Sequence, residues 1–121
     1  MDERLKRLGI TGGVWAVPAV KQQPVIHLER WRVFELSTGE RHLVGWNRDA
    51  AEGRVSSTVT VFDAEDRQAV TRSGRVYRLC GEPGHSVDGL YVWDQWLDAR
   101  GAQASDVTNE IARLIDAASQ D

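Results

Sequence analysis

The stretch VTRSGRVYRL, which begins at Val70, places three arginines within seven residues. Guanidinium groups bind phosphate and carboxylate groups through paired hydrogen bonds, so this cluster could form an anion site. Arg72 and Arg75 flank a Ser-Gly pair that is typical of a two-residue hairpin loop, which would set the two arginines opposite each other. The sequence therefore predicts an anion site at the hairpin tip made of Arg72 and Arg75. Tyr77 lies on the same side as Arg75, whereas Arg78 points the other way.

Two tryptophans three residues apart, Trp93 and Trp96, form a second candidate binding site. The chain has five tryptophans, and each buries a large area and needs a partner for its indole N–H. Tryptophan is also enriched at the energetic centres of protein interfaces. We expect most of the five in the core. Because Trp93 and Trp96 cannot both point into a narrow helix seam, we predict that one of them is exposed on a partner surface.

Residues capable of catalysis are present, but they do not form a catalytic pattern. Cys80 with His85 or His42 would supply a nucleophile and a base, although a buried strand cysteine acting as a small hydrophobe explains Cys80 better. The histidines and the cysteine lack the close ligand pairs of zinc sites. No glycine-rich phosphate loop is present. The sequence thus predicts a protein that is not an enzyme and that uses no metal and no cofactor.

Length and composition limit the class of protein. With 121 residues, of which 41% are hydrophobic and 27% charged, the chain suits one globular domain with a single core. A net charge of -3 opposes a general nucleic-acid role. No apolar run approaches the ~18 residues that span a bilayer, and no signal peptide is apparent. A lone cysteine cannot form an intrachain disulfide. These features predict a cytoplasmic protein.

The elements that would position these residues change from strands to helices along the chain. Glycines and prolines predict an irregular segment over residues 1–24. Period-two alternation follows over residues 25–80 and predicts strands near 28–37, 41–47, 54–63, 68–72 and 75–80. Helical spacing predicts helices near 88–99 and 105–119. Gly101 is the expected C-cap of the first helix, and Ser105 or Asp106 the N-cap of the second.

Strands followed by helices are typical of the α+β class. We therefore predict a single domain, 1–121, with an antiparallel β-meander of four to five strands over 25–80. The C-terminal helices, within 88–119, are expected to pack on one face of this sheet.

Four stretches carry a resemblance to known proteins: ERWRVFELSTGERHLVGWN, RVSSTVTVFD, TRSGRVYRLCGEPGH and YVWDQW, together roughly Trp31 to Trp96. They resemble small uncharacterised accessory proteins encoded on plasmids, prophages and integrative elements of proteobacteria. The resemblance implies an accessory gene of a mobile element. Such genes often encode compact proteins that block a host or rival system, among them anti-CRISPR-like inhibitors and immunity proteins. No functional residue is carried over from it.

Two functions follow as hypotheses. The first is a non-enzymatic protein-binding module that uses Trp93 or Trp96, in its narrower form an inhibitor of a host defence system or an immunity protein. The second is an anion or nucleic-acid binder that uses Arg72 and Arg75. A protein partner is favoured because the chain is acidic and the arginines divide between two faces. No membrane association is expected, and the sequence leaves open whether the protein forms a homodimer.

Overall fold

The computed structural model describes residues 23–119 and shows an α+β fold with a mixed sheet and two C-terminal helices. The α+β class is confirmed, whereas the predicted irregular segment 1–24 lies outside the described residues except for its last two. The strands are β1 (Val25–Leu36), β2 (Arg41–Asn47), β3 (Glu52–Val55), β4 (Val59–Asp63), β5 (Gln68–Thr71), β6 (Val76–Cys80) and β7 (Ala104–Asp106). The helices are α1 (Val87–Arg100) and α2 (Thr108–Ala118).

The sheet consists of two antiparallel meanders joined by one parallel pair. Its strand order is β3-β2-β1-β6-β5-β4, and β7 pairs with the end of β1. Strands β1 and β6 run parallel, from the pair Val25 and Val76 to the pair Glu29 and Cys80. The predicted purely antiparallel meander is therefore wrong. The reason is the 12-residue length of β1, which lets one edge of this strand pair first with β6 and then with β7.

The strand predicted over 54–63 is two separate strands, β3 and β4, at opposite ends of the sheet. Between them, the Ser56 hydroxyl accepts a hydrogen bond from the Leu43 N–H at 2.9 Å and donates one to the Ser57 carbonyl at 2.6 Å. The Ser57 hydroxyl accepts from the Ser73 N–H at 3.1 Å. These hydroxyls hydrogen-bond backbone groups of β2 and of the loop before β6, and because only three residues connect β3 to β4, the two ends of the sheet lie close together here.

A β-bulge at Arg30 reverses the alternation of β1. Before the bulge, Ile26 and Leu28 point into the first hydrophobic cluster, and after it Trp31 and Val33 do so. Arg30 itself has a positive φ of 49°, as expected of an extra residue that the partner strand does not match. The impure alternation in the sequence of this strand therefore marks a bulge.

The two helices pack on opposite faces of the sheet. Leu43 of β2 belongs to a cluster with Ile111 and Ile115 of α2. The next residue, Val44, belongs to a second cluster that contains Trp93 and the rest of the buried side of α1. Since successive strand residues point to opposite faces, α1 covers one face and α2 the other. The prediction that both helices share one face is wrong, because an apolar stripe on a helix does not specify which side of a sheet it covers.

The helix ends follow capping chemistry in part. The Ser86 hydroxyl accepts from the Gly89 N–H at the start of α1, and Gly101 ends this helix with a φ of 61°, as predicted. Helix α2 begins at Thr108, because residues 104–106 form β7. The Asp106 carboxylate still accepts from the Thr108 N–H at 2.9 Å. Neither helix within residues 23–119 has the length and apolarity to cross a bilayer.

Candidate functional site

The two arginines of the predicted anion site lie in different environments. Arg75 is fully buried, its Nε donates to the Gln23 carbonyl at 3.3 Å, and its guanidinium makes further interactions. Burial lowers the pKa of Arg75. Arg72 is exposed and its Nη2 donates to Oε2 of Glu40 at 3.1 Å. Because Arg75 cannot contact solvent, the pair does not form an anion site at the hairpin tip.

A three-residue loop explains this separation. The Thr71 N–H donates to the Arg75 carbonyl at 3.0 Å, and the Gly74 N–H donates to the Thr71 carbonyl at 2.8 Å. Gly74 has a φ of 94°, as such loops require. Thr71, and not Arg72, therefore pairs with Arg75. Tyr77 lies on the same side of the strand as Arg75, as predicted, but it is buried and its hydroxyl accepts from Nε of Arg54 at 3.0 Å.

Trp93 and Trp96 both lie in the core. Their exposed fractions are 2% and 1%, and their rings stack with centroids 5.1 Å apart. Phe34 of β1 stacks on Trp93 at 5.0 Å, and the ring of His42 lies 4.7 Å from Trp96. The prediction that one of the two is exposed is wrong, because Phe34 and His42 of the sheet pack against their rings.

His42 lies inside this aromatic cluster and is 2% exposed. Its Nδ1 lies 2.9 Å from the Ser56 carbonyl oxygen. This oxygen can only accept, so the neutral ring carries its proton on Nδ1. Burial lowers the pKa of His42, and the Ser56 carbonyl and Glu40 oppose that shift. The histidine therefore serves the packing of the core in its neutral form.

A second histidine forms a surface pair with a carboxylate. Nδ1 of His27 lies 2.7 Å from Oδ2 of Asp49, an arrangement that orients a histidine. Within residues 23–119, no hydroxyl or thiol hydrogen-bonds to the other ring nitrogen. The Cys80 thiol instead contacts the Arg78 carbonyl at 3.6 Å. The described part of the chain also contains no group of three His, Cys, Asp or Glu side chains that could hold a metal ion.

The outer side of α1 is the most exposed apolar surface among the described residues. Val87 is 82% exposed and Tyr91 is 65% exposed. They lie one helical turn apart and therefore on the same side. Three exposed carboxylates flank them, and none of these forms an ion pair within residues 23–119. We call this surface the α1 face; its residues are Val87, Asp88, Tyr91, Asp94 and Asp98.

A pocket of about 320 Å³ opens beside the α1 face. Its lining includes the aromatic residues Trp46 and Tyr91 and the acidic residue Asp88. Glu52 also borders the pocket, but its side chain lies on the same side of β3 as Arg54, away from α1. The remaining lining residues are Ala51, Gly53 and Val92. Burial raises the pKa of the Glu52 carboxyl, and the neighbouring Arg54 opposes this shift. The pocket thus combines two aromatic residues with one exposed acidic residue, Asp88, in its lining.

Close backbone packing at glycines creates this arrangement. A Cβ atom on Gly53 of β3 would lie 2.4 Å from the carbonyl carbon of Asp88, a distance that no side chain tolerates. The first turn of α1 therefore rests directly on the strand backbone. This contact brings Asp88 and Tyr91 of α1 together with Trp46 of β2 in the lining of the pocket.

Sequence reasoning missed the residues of the pocket and of the α1 face. One signal was present. Leu90, Trp93 and Leu97 have the spacing of one apolar stripe on a helix, and Tyr91 falls outside it. An aromatic residue on the polar side of an amphipathic helix indicates a contact surface.

No protein-family model matches this chain, and neither the curated proteins nor the solved structures give a match. The resemblance to accessory proteins of mobile elements stays a prediction.

Proposed function

We propose that this chain is a non-enzymatic protein-binding module that binds a basic protein partner through the α1 face. One observation carries the proposal: Tyr91 is 65% exposed beside Val87, which is 82% exposed. A large aromatic side chain that stays mostly exposed in the fold is typical of interface centres, where tyrosine is enriched.

The charge of the α1 face determines the kind of partner. Asp94 and Asp98 continue the same side of α1 about one and two turns beyond Tyr91, and no basic residue of α1 is exposed. The single basic residue of α1, Arg100, instead packs its guanidinium 4.1 Å from the ring centroid of Trp96. An unpaired acidic rim around an apolar centre complements a basic surface and repels an acidic one.

The negative charge of the α1 face also favours a protein partner over a nucleic acid. Phosphates would meet the carboxylates of Asp88, Asp94 and Asp98 and be repelled. A protein that presents lysine or arginine around an apolar patch would gain both contacts. The α1 face therefore favours the first of the two functions predicted from the sequence, although on different residues.

The test has two steps, because capture alone does not define a surface. The immobilised protein first isolates partners from cells of its host, which mass spectrometry identifies. Calorimetry with the purified partner then compares the parent with Tyr91→Ser. We expect a loss of at least about 30-fold in affinity, equal to about 2 kcal/mol, as for an interface centre.

Leu114→Ser is the matched control. Leu114 is 47% exposed and lies on α2, on the other side of the sheet. The substitution removes a comparable exposed apolar side chain without touching the α1 face, so affinity is expected to stay unchanged. Equal affinities of Tyr91→Ser and the parent would contradict the proposal, as would an equal loss in Leu114→Ser.

The narrower hypotheses about the kind of binding module remain proposals. An inhibitor of a defence system, or an immunity protein, is one way in which a binding module could act. An anion or nucleic-acid binder built on Arg72 and Arg75 has less support, because Arg75 is buried.

A further inference from the structure

We propose that a second copy of this chain docks on the outer face of strands β1, β6, β5 and β4, through a row of valines that crosses all four strands. This surface is separate from the α1 face, so the inference goes beyond the proposed function and does not rest on it. It adds the oligomeric state in which the binding module would act.

The row joins neighbouring strands in register. Val25 pairs with Val76, Val76 pairs with Val70, and Val70 pairs with Val61. Paired residues of neighbouring strands lie on the same face of a sheet, so these side chains stand next to one another. We call this surface the valine row; its residues are Val25, Val76, Val70 and Val61.

The valine row points away from the core. The strand neighbours of its valines belong to the first hydrophobic cluster or pack against it; they are Ile26, Tyr77, Ala69 and Phe62. Because successive strand residues point to opposite faces, the valines lie on the outside. Within residues 23–119, α1 packs on β2 and β3, and its cluster contains no residue of β4, β5 or β6. Neither helix therefore covers the valine row.

An apolar row is unusual at this position. A solvated face of a sheet normally carries polar side chains, which alternate with those that point into the core. Here Val61 is 57% exposed, and the other three valines are partly exposed. A contiguous apolar patch of this kind typically marks an interaction surface, because its burial against a second apolar surface is favourable.

The charges beside the valine row indicate what covers it. From β1 to β4, the next row on the same face consists of His27, Arg78, Gln68 and Asp63. Within residues 23–119, neither Arg78 nor Asp63 forms an ion pair. Arg78 is exposed, and Asp63 accepts a hydrogen bond from the Asp66 N–H at 3.1 Å. One half of this second row thus carries a positive charge and the other half a negative charge.

A two-fold axis that runs parallel to the strands, between β5 and β6, makes this face complementary to itself. It places β6 of one copy over β5 of the other, and β1 over β4. Val76 of one copy then faces Val70 of the other, so apolar surface meets apolar surface. Asp63 of one copy comes over the half of the row that contains Arg78 in the other. A uniformly acidic or basic partner would instead meet one like charge here.

The test is analytical ultracentrifugation of the full chain, loaded at concentrations from about 5 to about 500 µM. We expect a dimer that dissociates on dilution. Val70→Lys places a charge at the centre of the contact and is expected to raise the dissociation constant at least about 30-fold. Val87→Lys is the matched control, because it changes an exposed valine of the α1 face in the same way and should leave the dissociation constant unchanged.

A second variant covers the case in which Val70→Lys fails to fold, as judged by its circular-dichroism spectrum. Val61→Lys at the exposed end of the row then replaces it, with an expected rise in the dissociation constant of at least about five-fold. A chain that stays monomeric at every concentration would overturn the proposal. A dimer that dissociates in Val87→Lys and persists in the valine-row variant would overturn it as well.

A charge exchange tests the two-fold arrangement. Arg78→Glu brings two acidic groups together across the contact and is expected to raise the dissociation constant at least about five-fold. Arg78→Glu combined with Asp63→Arg restores opposite charges and is expected to recover most of that loss. A dimer that ignores Arg78→Glu, or a double variant weaker than the single one, would contradict this arrangement.

The outcome is independent of the proposed function, whose measure is the dependence of partner affinity on Tyr91. A monomer that binds its partner through Tyr91 would refute the dimer and keep the binding module. A dimer that depends on Val70, together with a partner that ignores Tyr91, would keep the dimer and refute the docking surface.

Discussion

The backbone of Gly45 lies directly beneath Gly89, so that a Cβ atom on Gly89 would come within 2.5 Å of the Gly45 carbonyl oxygen. Gly89 belongs to the first turn of α1 and Gly45 to the middle of β2. On its other side, Gly45 faces the bulge of β1, where a Cβ atom would lie 2.8 Å from the Glu29 carbonyl oxygen. Helix, strand and bulge therefore pack through their backbones at this point.

Gly89→Ala is expected to lower the free energy of unfolding by about 1–3 kcal/mol, because the methyl group displaces α1 from β2. Helix propensity alone predicts the opposite, a gain of about 1 kcal/mol. Urea denaturation distinguishes the two, and Gln95→Ala on the exposed side of the same helix is the control. A more stable Gly89→Ala would refute the close packing.

Acid is expected to destabilise the protein through His42. Above the ordinary histidine pKa of about 6.5, the ring is neutral in both the folded and the unfolded chain. Because burial lowers the pKa in the folded chain, the unfolded chain binds a proton first as the pH falls. The free energy of unfolding therefore decreases below pH 6.5 until the folded form is protonated too.

His42→Phe is expected to reduce this pH dependence, although it also removes the hydrogen bond to Ser56. The measurement is the difference in unfolding free energy between pH 7.5 and pH 5. His85→Gln, at an exposed loop position, is the control and should retain the slope of the parent. A slope that His42→Phe leaves intact would place the titrating group elsewhere.

Trp96→Ala is expected to cost about 3–5 kcal/mol of stability, as large truncations in a core do. The indole stacks on Trp93 and contacts His42, so the variant leaves a cavity in the centre of the second cluster. Thermal unfolding measures the loss. A variant that kept full stability while losing partner affinity would restore Trp96 as an interface residue.

Arg72→Ala is expected to change the unfolding free energy by less than about 1 kcal/mol, because the Arg72–Glu40 pair lies at the surface. We also expect Arg72→Ala and the parent to show the same affinity for duplex DNA at low salt. A salt-sensitive affinity that disappears in this variant alone, and not in Arg113→Ala, would revive the anion-binding hypothesis.

Much of the local structure could be predicted from the sequence. Strand β2 has the predicted bounds of 41–47, and Gly101 ends α1 as its position after a helical pattern indicates. The opposite orientations of Leu43 and Val44 also follow from alternation. These features depend on residues close together in the chain, where periodicity and capping act.

The arrangement of the strands could not be predicted in the same way. Alternation shows which side chains share a face, but it does not show that Val25 pairs with Val76 in parallel. Ser56 and Ser57 fit a strand pattern as well as any small polar residues do. Only the hydrogen bonds of their hydroxyls to distant backbone groups show that the strand is interrupted at these two residues.

The candidate site was missed because its residues come together only through tertiary packing. Trp46, Glu52 and Tyr91 belong to three different elements, and no spacing connects them. The exposure of Tyr91 can be inferred only after Trp93 and Trp96 are known to occupy the buried side of α1. The number of tryptophans indicated an aromatic surface, but the fold buries Trp31, Trp93 and Trp96 in its core.

The parallel pair of β1 and β6 has a consequence for how the chain folds. Each antiparallel meander closes through short turns and can form from neighbouring segments early. The pair between β1 and β6 instead closes a loop that contains all of β2 to β5, and the entropy of that closure opposes it until both meanders offer their edges. We therefore expect the strand pair that unites the sheet to form after the two meanders.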